Sequence, residues 1–394
     1  MAHKSLLAAV FAIGLAFALP HATAAAPAAG NAWAWGLNSD GELGNGTITR
    51  YSGLATPGQV LNLHDVRAVA GGDQHSLALK SDGTVWAWGN NGWGQLGNGK
   101  YGGSNTPVQV PGLSNVTAIA AGSLHNLALK SDGTVWGWGF DYFGQVGNGT
   151  SGANVLSPAQ VRGPSGMTAV AAGGYSSLAL KSDRTVWAWG YNGQGELGNG
   201  TSDERAHSTP SKVRNLNTAV AIGAGVEHGL AVLANGGLSA WGDNQSGELG
   251  AATATTCGGY TSPCSTVPVR VASLSGVTAV AGGHGYTLAV KSDGTAWGWG
   301  NNGYGELGDG KPQLYGSVKS PVRATVTGVA AIAAGASHSL WLRSDGTLWA
   351  AGSNYYGQIG DGTFTDAPAP VQLNLTGLSA IAAGHSHSLA VKSH

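Results

Sequence analysis

The sequence predicts an all-β fold, a seven-bladed β-propeller of four-stranded antiparallel blades. One motif recurs along the chain, as KSDGTVWAWGNNGWGQLGNG at 80–99, KSDGTVWGWGFDYFGQVGNG at 130–149 and KSDGTAWGWGNNGYGELGDG at 291–310. The segments between copies alternate apolar and polar residues, which indicates strands rather than helices. The 67 glycines and 14 tryptophans among 394 residues favour many tight turns between short, well-packed strands.

The period of this tryptophan motif sets the domain organisation. The glycine that follows the second tryptophan position of the motif recurs in steps of 53, 50, 51, 52, 58 and 52 residues, at Gly36, Gly89, Gly139, Gly190, Gly242, Gly300 and Gly352. A fixed period of this size is typical of a propeller or a solenoid. We therefore predict that residues 31–394 form one domain of seven repeats of about 50–58 residues.

Each repeat predicts four strands in succession. In one of them the strands are VTAIAAG (116–122), HNLALKS (125–131), TVWGWG (134–139) and PAQV (158–161). The proline of the fourth strand is compatible with a strand at the edge of a sheet. Asp132-Gly133 predicts a two-residue type I′ hairpin turn. Trp86 and Trp88 lie two apart on a strand, so they share a face and are expected to fill the wedge between blades.

The two ends of the propeller region complement each other. The sequence stops at HSLAVKSH, before a strand bearing the tryptophan motif, while NAWAWG near residue 31 lacks the two strands that should precede it. We therefore expect residues 31–61 to supply the outer strands of a blade whose inner strands come from 378–392. This pairing would leave few exposed strand edges.

The first 30 residues resemble a targeting segment. A weakly basic start, an apolar run from Leu6 to Leu19 and an A-x-A pattern ending at Ala24 predict a signal peptide at 1–24, followed by a linker at 25–30. An uncleaved membrane anchor is the alternative. We expect a secreted or periplasmic protein without a membrane span, and a monomer.

Charge and cysteine usage narrow the partners. Charged residues make up 10% and the net charge is −1, which argues against nucleic acid or an anionic membrane as partner. Cys257 and Cys264, in CGGYTSPC, predict a disulfide in an exported protein, with two free thiols as the alternative. Two cysteines alone do not complete a zinc shell.

Two repeated polar positions could carry chemistry. Histidine recurs at His75, His125, His228, His338 and His387. A ring of metal ligands is one reading, but each histidine shares strand parity with the following leucines, so we expect structural residues that cap a blade core and bond to backbone. The position of Glu42 alternates between glutamate and glutamine among repeats, which suits a turn residue better than an acid. We predict no catalytic residue, metal or cofactor.

The pattern AGxxHSLALKSDGTVWxWGxNxxGQLGxG, in seven copies, resembles the regulator of chromosome condensation repeat family, and with the leader we expect an exported bacterial member. The resemblance implies a seven-bladed propeller. Members include an exchange factor for a small nuclear GTPase and a plant ultraviolet photoreceptor, and an exported bacterial propeller that inhibits β-lactamases is similar in character. Tryptophan does not precede the histidines here, unlike in the photoreceptor's motif.

Sequence differences between repeats are concentrated in the loops that follow the first and third strands. These loops open on one face of the propeller. Aromatic residues and arginine are common anchors of protein interfaces. The candidates for this binding face are Arg50, Tyr51, Trp93, Tyr101, Phe143, Arg205, Tyr260, Tyr304, Tyr315, Tyr356 and Phe364. We therefore predict a non-enzymatic module that binds a protein, or alternatively a glycan. Exchange activity on a host GTPase and an enzyme with acids and histidines at the central channel are the other hypotheses.

Overall fold

The computed structural model describes residues 29–50, 52–253, 255–257, 262–313 and 316–393. The predicted signal peptide at 1–24 and most of the linker lie outside these residues. The described part of the chain forms strands and turns and contains no helix. It accordingly has no helix that is long and apolar enough to cross a membrane.

Seven blades of four main strands account for the architecture. The chain opens with β1 (Gly30–Leu37) and β2 (Gly53–Gln59). Blade 1 comprises β3 (Val66–Gly71), β4 (His75–Lys80), β5 (Val85–Gly89) and β6 (Ser104–Gln109). Blade 2 comprises β7 (Val116–Ala121), β8 (His125–Lys130), β9 (Val135–Gly139) and β10 (Val155–Gln160). Blade 3 comprises β11 (Met167–Ala172), β12 (Ser176–Lys181), β13 (Val186–Asn192) and β14 (Asp203–Lys212).

The remaining blades follow the same antiparallel order. Blade 4 comprises β15 (Ala219–Ala224), β16 (His228–Leu233), β17 (Leu238–Asp243), the short β18 (Thr255–Cys257) and β19 (Ser262–Arg270). Blade 5 comprises β20 (Val277–Gly282), β21 (Tyr286–Lys291), β22 (Thr295–Asn301) and β23 (Ser317–Thr327). Blade 6 comprises β24 (Val329–Ala334), β25 (His338–Arg343), β26 (Leu348–Gly352) and β27 (Ala367–Gln372). Blade 7 comprises β28 (Leu378–Ala383), β29 (His387–Ser393), β1 and β2.

Blade 7 joins the two ends of the propeller region, as the sequence predicts. β1 pairs with β29 in antiparallel register, with Trp33 opposite Ala390, and β2 pairs with the other edge of β1. The innermost strand β28 contacts β24 on one side and β3 on the other. A single bridge between Gly30 and Val66 also links blade 7 to blade 1. Contacts between innermost strands therefore run through all seven blades and return to the first.

The turn between the second and third strands differs from the predicted type I′ geometry. In blade 2, Gly133 has a φ of 77°, whereas Asp132 keeps a negative φ. The Gly133 amide donates to the Lys130 carbonyl at 2.9 Å, and the Lys130 amide donates to the Thr134 carbonyl at 2.9 Å. This is a three-residue loop with glycine in the left-handed region. The Asp132 carboxylate accepts hydrogen bonds from the Thr134 amide and hydroxyl at 2.9 and 2.6 Å, which favours this loop.

Tryptophan fills the wedge between blades. The second tryptophan of the motif is fully buried, as Trp88 and Trp138 show. Their indole Nε1 groups donate to backbone carbonyls of the preceding blade, Trp88 to Glu42 at 2.7 Å and Trp138 to Gln95 at 2.9 Å. Trp86, the first tryptophan, is half-buried and its Nε1 donates to the Thr84 hydroxyl at 3.3 Å. The deeper of the two rings therefore forms the wedge.

Blade 6 fills its wedge from a different strand. Ala351 stands where the second tryptophan is expected, yet Trp341 on β25 is fully buried. A Cβ built on Gly308 would lie 2.8 Å from the Trp341 ring, as one built on Gly97 would lie 2.8 Å from the Trp138 ring. Trp341 therefore occupies the equivalent space. Its Nε1 has no hydrogen-bond partner, so it restores the volume but not the bond to the preceding blade.

Candidate protein-binding face

The loops after the first and third strands of each blade meet on one side of the propeller, which we call the loop face. The Asn90 amide donates to the Gln74 carbonyl at 2.8 Å, and the Phe140 amide donates to the Leu124 carbonyl at 2.9 Å. These contacts join the two loops of a blade. The arrangement follows from antiparallel order, because the first and third strands run in the same direction.

The centre of the loop face is a narrow channel lined mainly by glycine and alanine. Backbone amides bond from blade to blade around it, Asp73 to Ser123 at 3.1 Å and Ser123 to Gly174 at 3.3 Å. A Cβ on Gly122 would lie 2.4 Å from the Gly173 carbonyl oxygen, so a side chain there would collide with backbone. Close convergence of the blades thus explains the small residues of the lining.

Acid and histidine side chains from different blades do meet at the channel mouth. Asp73 Oδ1 lies 3.8 Å from His385 Nδ1, and their side chains are 36% and 51% exposed. The pKa of Glu227 is raised above its usual value, mainly by burial and further by the Asp243 charge, and the nearby His284 offsets only part of this rise. Exposed ion pairs contribute about 0–1 kcal/mol. No group of three or more histidine, cysteine, aspartate or glutamate side chains within the described residues is placed to hold a metal ion.

The five repeated histidines are buried and bond from one blade to the next. The Nε2 contacts are His75 with Asn126 Oδ1 at 2.7 Å, and His125 with Ser177 Oγ, His228 with Thr287 Oγ1, His338 with Ser388 Oγ and His387 with Ser76 Oγ, each at 2.9 Å. The partner is thus a side chain of the neighbouring blade rather than the backbone expected from the sequence. Burial lowers the pKa of His125, His338 and His387 to about 3, which keeps the rings neutral.

The glutamate and glutamine of the tryptophan motif play one structural role. Glu196 Oε2 accepts the Gln194 amide at 2.8 Å, and Gln145 Oε1 accepts the Phe143 amide at 3.0 Å. Burial raises the pKa of Glu196 to about 8, so the glutamate is neutral at pH 7, as glutamine always is. This equivalence matches the turn role suggested by the alternation of the two residue types.

Six aromatic rings from blades 1 to 3 form one connected group on the loop face, which we call the aromatic cluster. Its members are Trp93, Phe140, Tyr142, Phe143, Tyr175 and Tyr191. Ring centroids lie 5.1 Å apart for Trp93 and Phe140, 5.3 Å for Tyr142 and Phe143, and 4.8 Å for Phe143 and Tyr191. Trp93 is 44% exposed and Tyr142 is 61% exposed. The cluster therefore offers a firmly packed base with two rings facing solvent.

Of the residues in this cluster, only Trp93 and Phe143 were predicted from the sequence as binding residues. Phe140 and Tyr191 directly follow the glycine after the second tryptophan, and Tyr175 precedes the position of the repeated histidine. These positions vary between repeats, and that variation was the available signal. Their grouping depends on contacts between blades 2 and 3, which the sequence does not reveal.

The other predicted site residues take no part in the ring contacts of the aromatic cluster or fall outside the described residues. Tyr304, Tyr101 and Phe364 are 46%, 56% and 55% exposed, and Arg50 is exposed. Tyr356 packs edge-on against Tyr355, with centroids 4.8 Å apart. Arg205, expected in a loop, lies on β14. Tyr51, Tyr260 and Tyr315 fall outside the described residues.

The two cysteines are bonded to each other as predicted. Cys257 and Cys264 have a Cα–Cα distance of 5.7 Å, and both are buried. They lie on β18 and β19, which pair at the outer edge of blade 4. The disulfide therefore closes the insertion that makes this repeat the longest.

Comparison with known proteins gives family matches over most of the described chain. The model of the RCC1-like domain matches residues 158–394, and that of the regulator of chromosome condensation (RCC1) repeat matches 29–79, 82–129 and 132–180. The chain is 32% identical over 204 residues to the probable E3 ubiquitin-protein ligase HERC6 of Homo sapiens, covering 48% of this chain and 19% of that protein. It is 34% identical over 193 residues to the ultraviolet-B receptor UVR8 of Arabidopsis thaliana, covering 47% and 41%. The matches thus span less than half the length of either relative.

Solved structures share the fold. Prp20p of Saccharomyces cerevisiae superposes with a TM-score of 0.81 at 23% identity, over 94% of this chain and 93% of that one. Human WBSCR16 gives a TM-score of 0.80 at 22% identity, over 92% and 99%. At this level of identity the comparison concerns architecture. Prp20p itself binds Gsp1p and histones.

Proposed function

Because this chain belongs to the RCC1-like domain family, we propose that it is a protein-binding propeller whose contact surface is the aromatic cluster of the loop face. The observation that carries this proposal is the joining of six rings from three blades, with Trp93 and Tyr142 exposed at its surface. Tryptophan and tyrosine are the residues most enriched among interface anchors.

The packing of the aromatic cluster favours binding energetically. Edge-to-face contacts hold Phe140 and Phe143 beneath the exposed rings, with Trp93 against Phe140 at 5.1 Å and Tyr142 against Phe143 at 5.3 Å. Each immobilised side chain otherwise costs about 0.5–1.5 kcal/mol on binding. Rings already fixed by neighbours lose less freedom, so more of the buried area contributes to affinity.

Proteins of similar fold bind protein partners, which supports the class of ligand proposed here. Prp20p is described as binding Gsp1p and histones, and yeast RCC1 as bound to Kap60. Those partners are properties of those proteins. For this chain we propose a protein partner outside the cytoplasm, because the leader at 1–24 predicts export and a bonded cysteine pair is usual in oxidising compartments.

A channel-mouth enzyme is the second candidate, because Asp73 and His385 come from different blades and lie 3.8 Å apart. The enzyme hypothesis requires Asp73 and His385, whereas the protein-binding proposal requires the aromatic cluster. Asp73→Asn with His385→Gln would remove the acid and the base while leaving the aromatic cluster intact. Partner binding should then persist, and any hydrolytic activity of the wild-type chain should be lost.

The decisive experiment compares variants in capture of partners from the extracellular or envelope fraction of the source organism. Trp93→Ala with Tyr142→Ala removes two exposed rings of the cluster, and Tyr304→Ala with Tyr355→Ala is the matched control, removing two exposed rings outside it. Loss of two anchors should weaken binding of the captured protein about 100-fold or more. Circular dichroism and thermal unfolding should be unchanged in both. Equal binding by wild type and the cluster variant would refute the placement.

A further inference from the structure

One position of the tryptophan motif departs from its repeats in a chemically specific way. The third residue after the second tryptophan position is buried asparagine in six repeats, at Asn38, Asn91, Asn192, Asn244, Asn302 and Asn354. In blade 2 it is Asp141, which is also fully buried. Aspartate and asparagine have nearly the same shape, so the substitution exchanges an NH2 donor for an acceptor oxygen.

The asparagines show what surrounds this position. Asn192 Oδ1 accepts the Leu197 amide at 3.0 Å, while Nδ2 donates to the Thr201 carbonyl at 3.1 Å and hydroxyl at 3.2 Å. Asn38 Nδ2 donates to the carbonyl and hydroxyl of Thr47 at 3.1 and 3.2 Å, and to Asn45 Oδ1 at 3.5 Å. The amide nitrogen therefore lies among oxygen acceptors supplied by the following loop.

The loop of blade 2 has the same backbone hydrogen bond as the sibling repeats, but Asp141 lacks their NH2 donor. Asp141 Oδ1 accepts the Val146 amide at 2.9 Å, and the Gly152 amide donates to the Asp141 carbonyl at 3.0 Å, as the Thr49 amide donates to Asn38 at 2.9 Å. The Thr150 amide and hydroxyl both donate to Asn148 Oδ1, at 2.9 and 2.7 Å. Asp141 Oδ2 is buried and has no hydrogen-bond partner.

In the sibling repeats, the residues equivalent to Asn148 and Thr150 supply the oxygens that the amide nitrogen contacts. The corresponding oxygens of blade 2 are Asn148 Oδ1 and the carbonyl and hydroxyl oxygens of Thr150. A buried carboxylate oxygen among acceptors is costly unless a positive charge compensates it. Ca2+ takes carboxylate, amide and backbone carbonyl oxygens at about 2.3–2.6 Å, which sets neighbouring ligand oxygens about 3 Å apart. The amide contacts of the sibling repeats have that spacing.

We propose that Asp141, Asn148 and Thr150 form a calcium site, in which the ion takes the place of the amide hydrogens that the asparagines of the other repeats direct at the equivalent loop oxygens. With a single carboxylate, the site belongs to the weak class, with a Kd of about 0.1–1 mM. The ion would hold the 148–152 loop against the segment that carries Tyr142. This proposal concerns loop chemistry and stands whether or not the aromatic cluster binds a protein.

A proton is the competing occupant. Burial raises the pKa of Asp141 to about 7, so near neutrality a protonated side chain could donate to a loop carbonyl as asparagine does. The two occupants are distinguished at about pH 8, where the ionised carboxylate predominates and a metal ion is needed to restore the contacts.

The test measures Ca2+ and Tb3+ binding to the whole mature chain after chelator treatment. Tb3+ substitutes for Ca2+ and luminesces when excited through nearby aromatic rings such as Tyr142. We expect one saturable Tb3+ site from which Ca2+ displaces the Tb3+, with a rise in Tm on the order of 2–4 °C at about 10 mM Ca2+. Asp141→Asn, which installs the residue of the sibling repeats, should abolish both effects.

A gain-of-function variant gives an independent readout. Asn192→Asp places a carboxylate beside Asn199 and Thr201, which have the same identities as Asn148 and Thr150. It should add a second Tb3+ site of similar affinity. Identical Ca2+ and Tb3+ titrations for wild type and Asp141→Asn would overturn the proposal. So would a wild-type Tm that depends on pH but not on Ca2+.

Discussion

Replacing Glu196 with glutamine should stabilise the propeller at neutral and alkaline pH but not in acid. Glu196 is 2% exposed, and burial raises its pKa to about 8 from 4.5. The unfolded chain ionises this carboxyl above pH 4.5, whereas the folded chain keeps it protonated until about pH 8. The folded state therefore binds more protons in this window, and stability falls as pH rises through it.

The magnitude follows from the width of the window. Each pKa unit corresponds to about 1.4 kcal/mol, so ionisation of the unfolded state destabilises the wild type by about 3 kcal/mol at pH 7 and about 5 kcal/mol above pH 8. Glutamine does not titrate and, as Gln145 shows, can accept the same backbone amide. Glu196→Gln should therefore recover most of this free energy at pH 8 and little at pH 4.5.

Urea unfolding of both proteins at about pH 4.5, 6 and 8 measures the difference directly. Gln145→Glu is the matched control, because it introduces a carboxyl at the equivalent position of blade 2 and should destabilise the chain increasingly as pH rises. A Glu196→Gln stabilisation that is the same at all three pH values would show that this glutamate is not held neutral. The reasoning would then fail for the other buried glutamates of the motif.

Three further outcomes are expected. Trp341→Ala should lower the free energy of unfolding by about 3–5 kcal/mol in chemical denaturation, since it empties the wedge of blade 6, and a loss under about 1 kcal/mol would contradict that placement. Ser76→Ala should cost about 1–3 kcal/mol, because it leaves His387 Nε2 without its partner, whereas Ser81→Ala, on an exposed turn, is the control. Replacing Cys257 and Cys264 by serine should cost less than about 3 kcal/mol and leave the far-ultraviolet circular dichroism unchanged, because the closed loop is short. Loss of the sheet signal would contradict this.

The architecture could be predicted because the information is repeated. Seven copies of one motif fix the period, and the incomplete ends of the propeller region indicate that β1 must pair with β29. The turn geometry could not be predicted from the same residues. Asp-Gly occurs both in type I′ turns and in three-residue loops, and the choice here depends on the bonds from Thr134 to Asp132.

Features that depend on contacts between blades could not be predicted from the sequence. Trp341 replaces an alanine of the sibling repeats on a strand other than the tryptophan strand, so only its position in space shows that it compensates for Ala351. The histidine partners likewise come from the next blade, about one repeat away. For the aromatic cluster, Phe143 and Tyr191 are distant in sequence, and their contact depends on how blades 2 and 3 are oriented.

The joined construction of blade 7 has a consequence for biosynthesis. Trp35 donates to the Gln358 carbonyl across 323 positions, and β1 finds its partner β29 only after nearly the whole propeller has been translated. Contacts of such high contact order form late, because the entropy of closing a long loop must be overcome first. The first two strands of the propeller emerge early from the ribosome with an unsatisfied edge, so chaperones would act on this protein mainly at those strands.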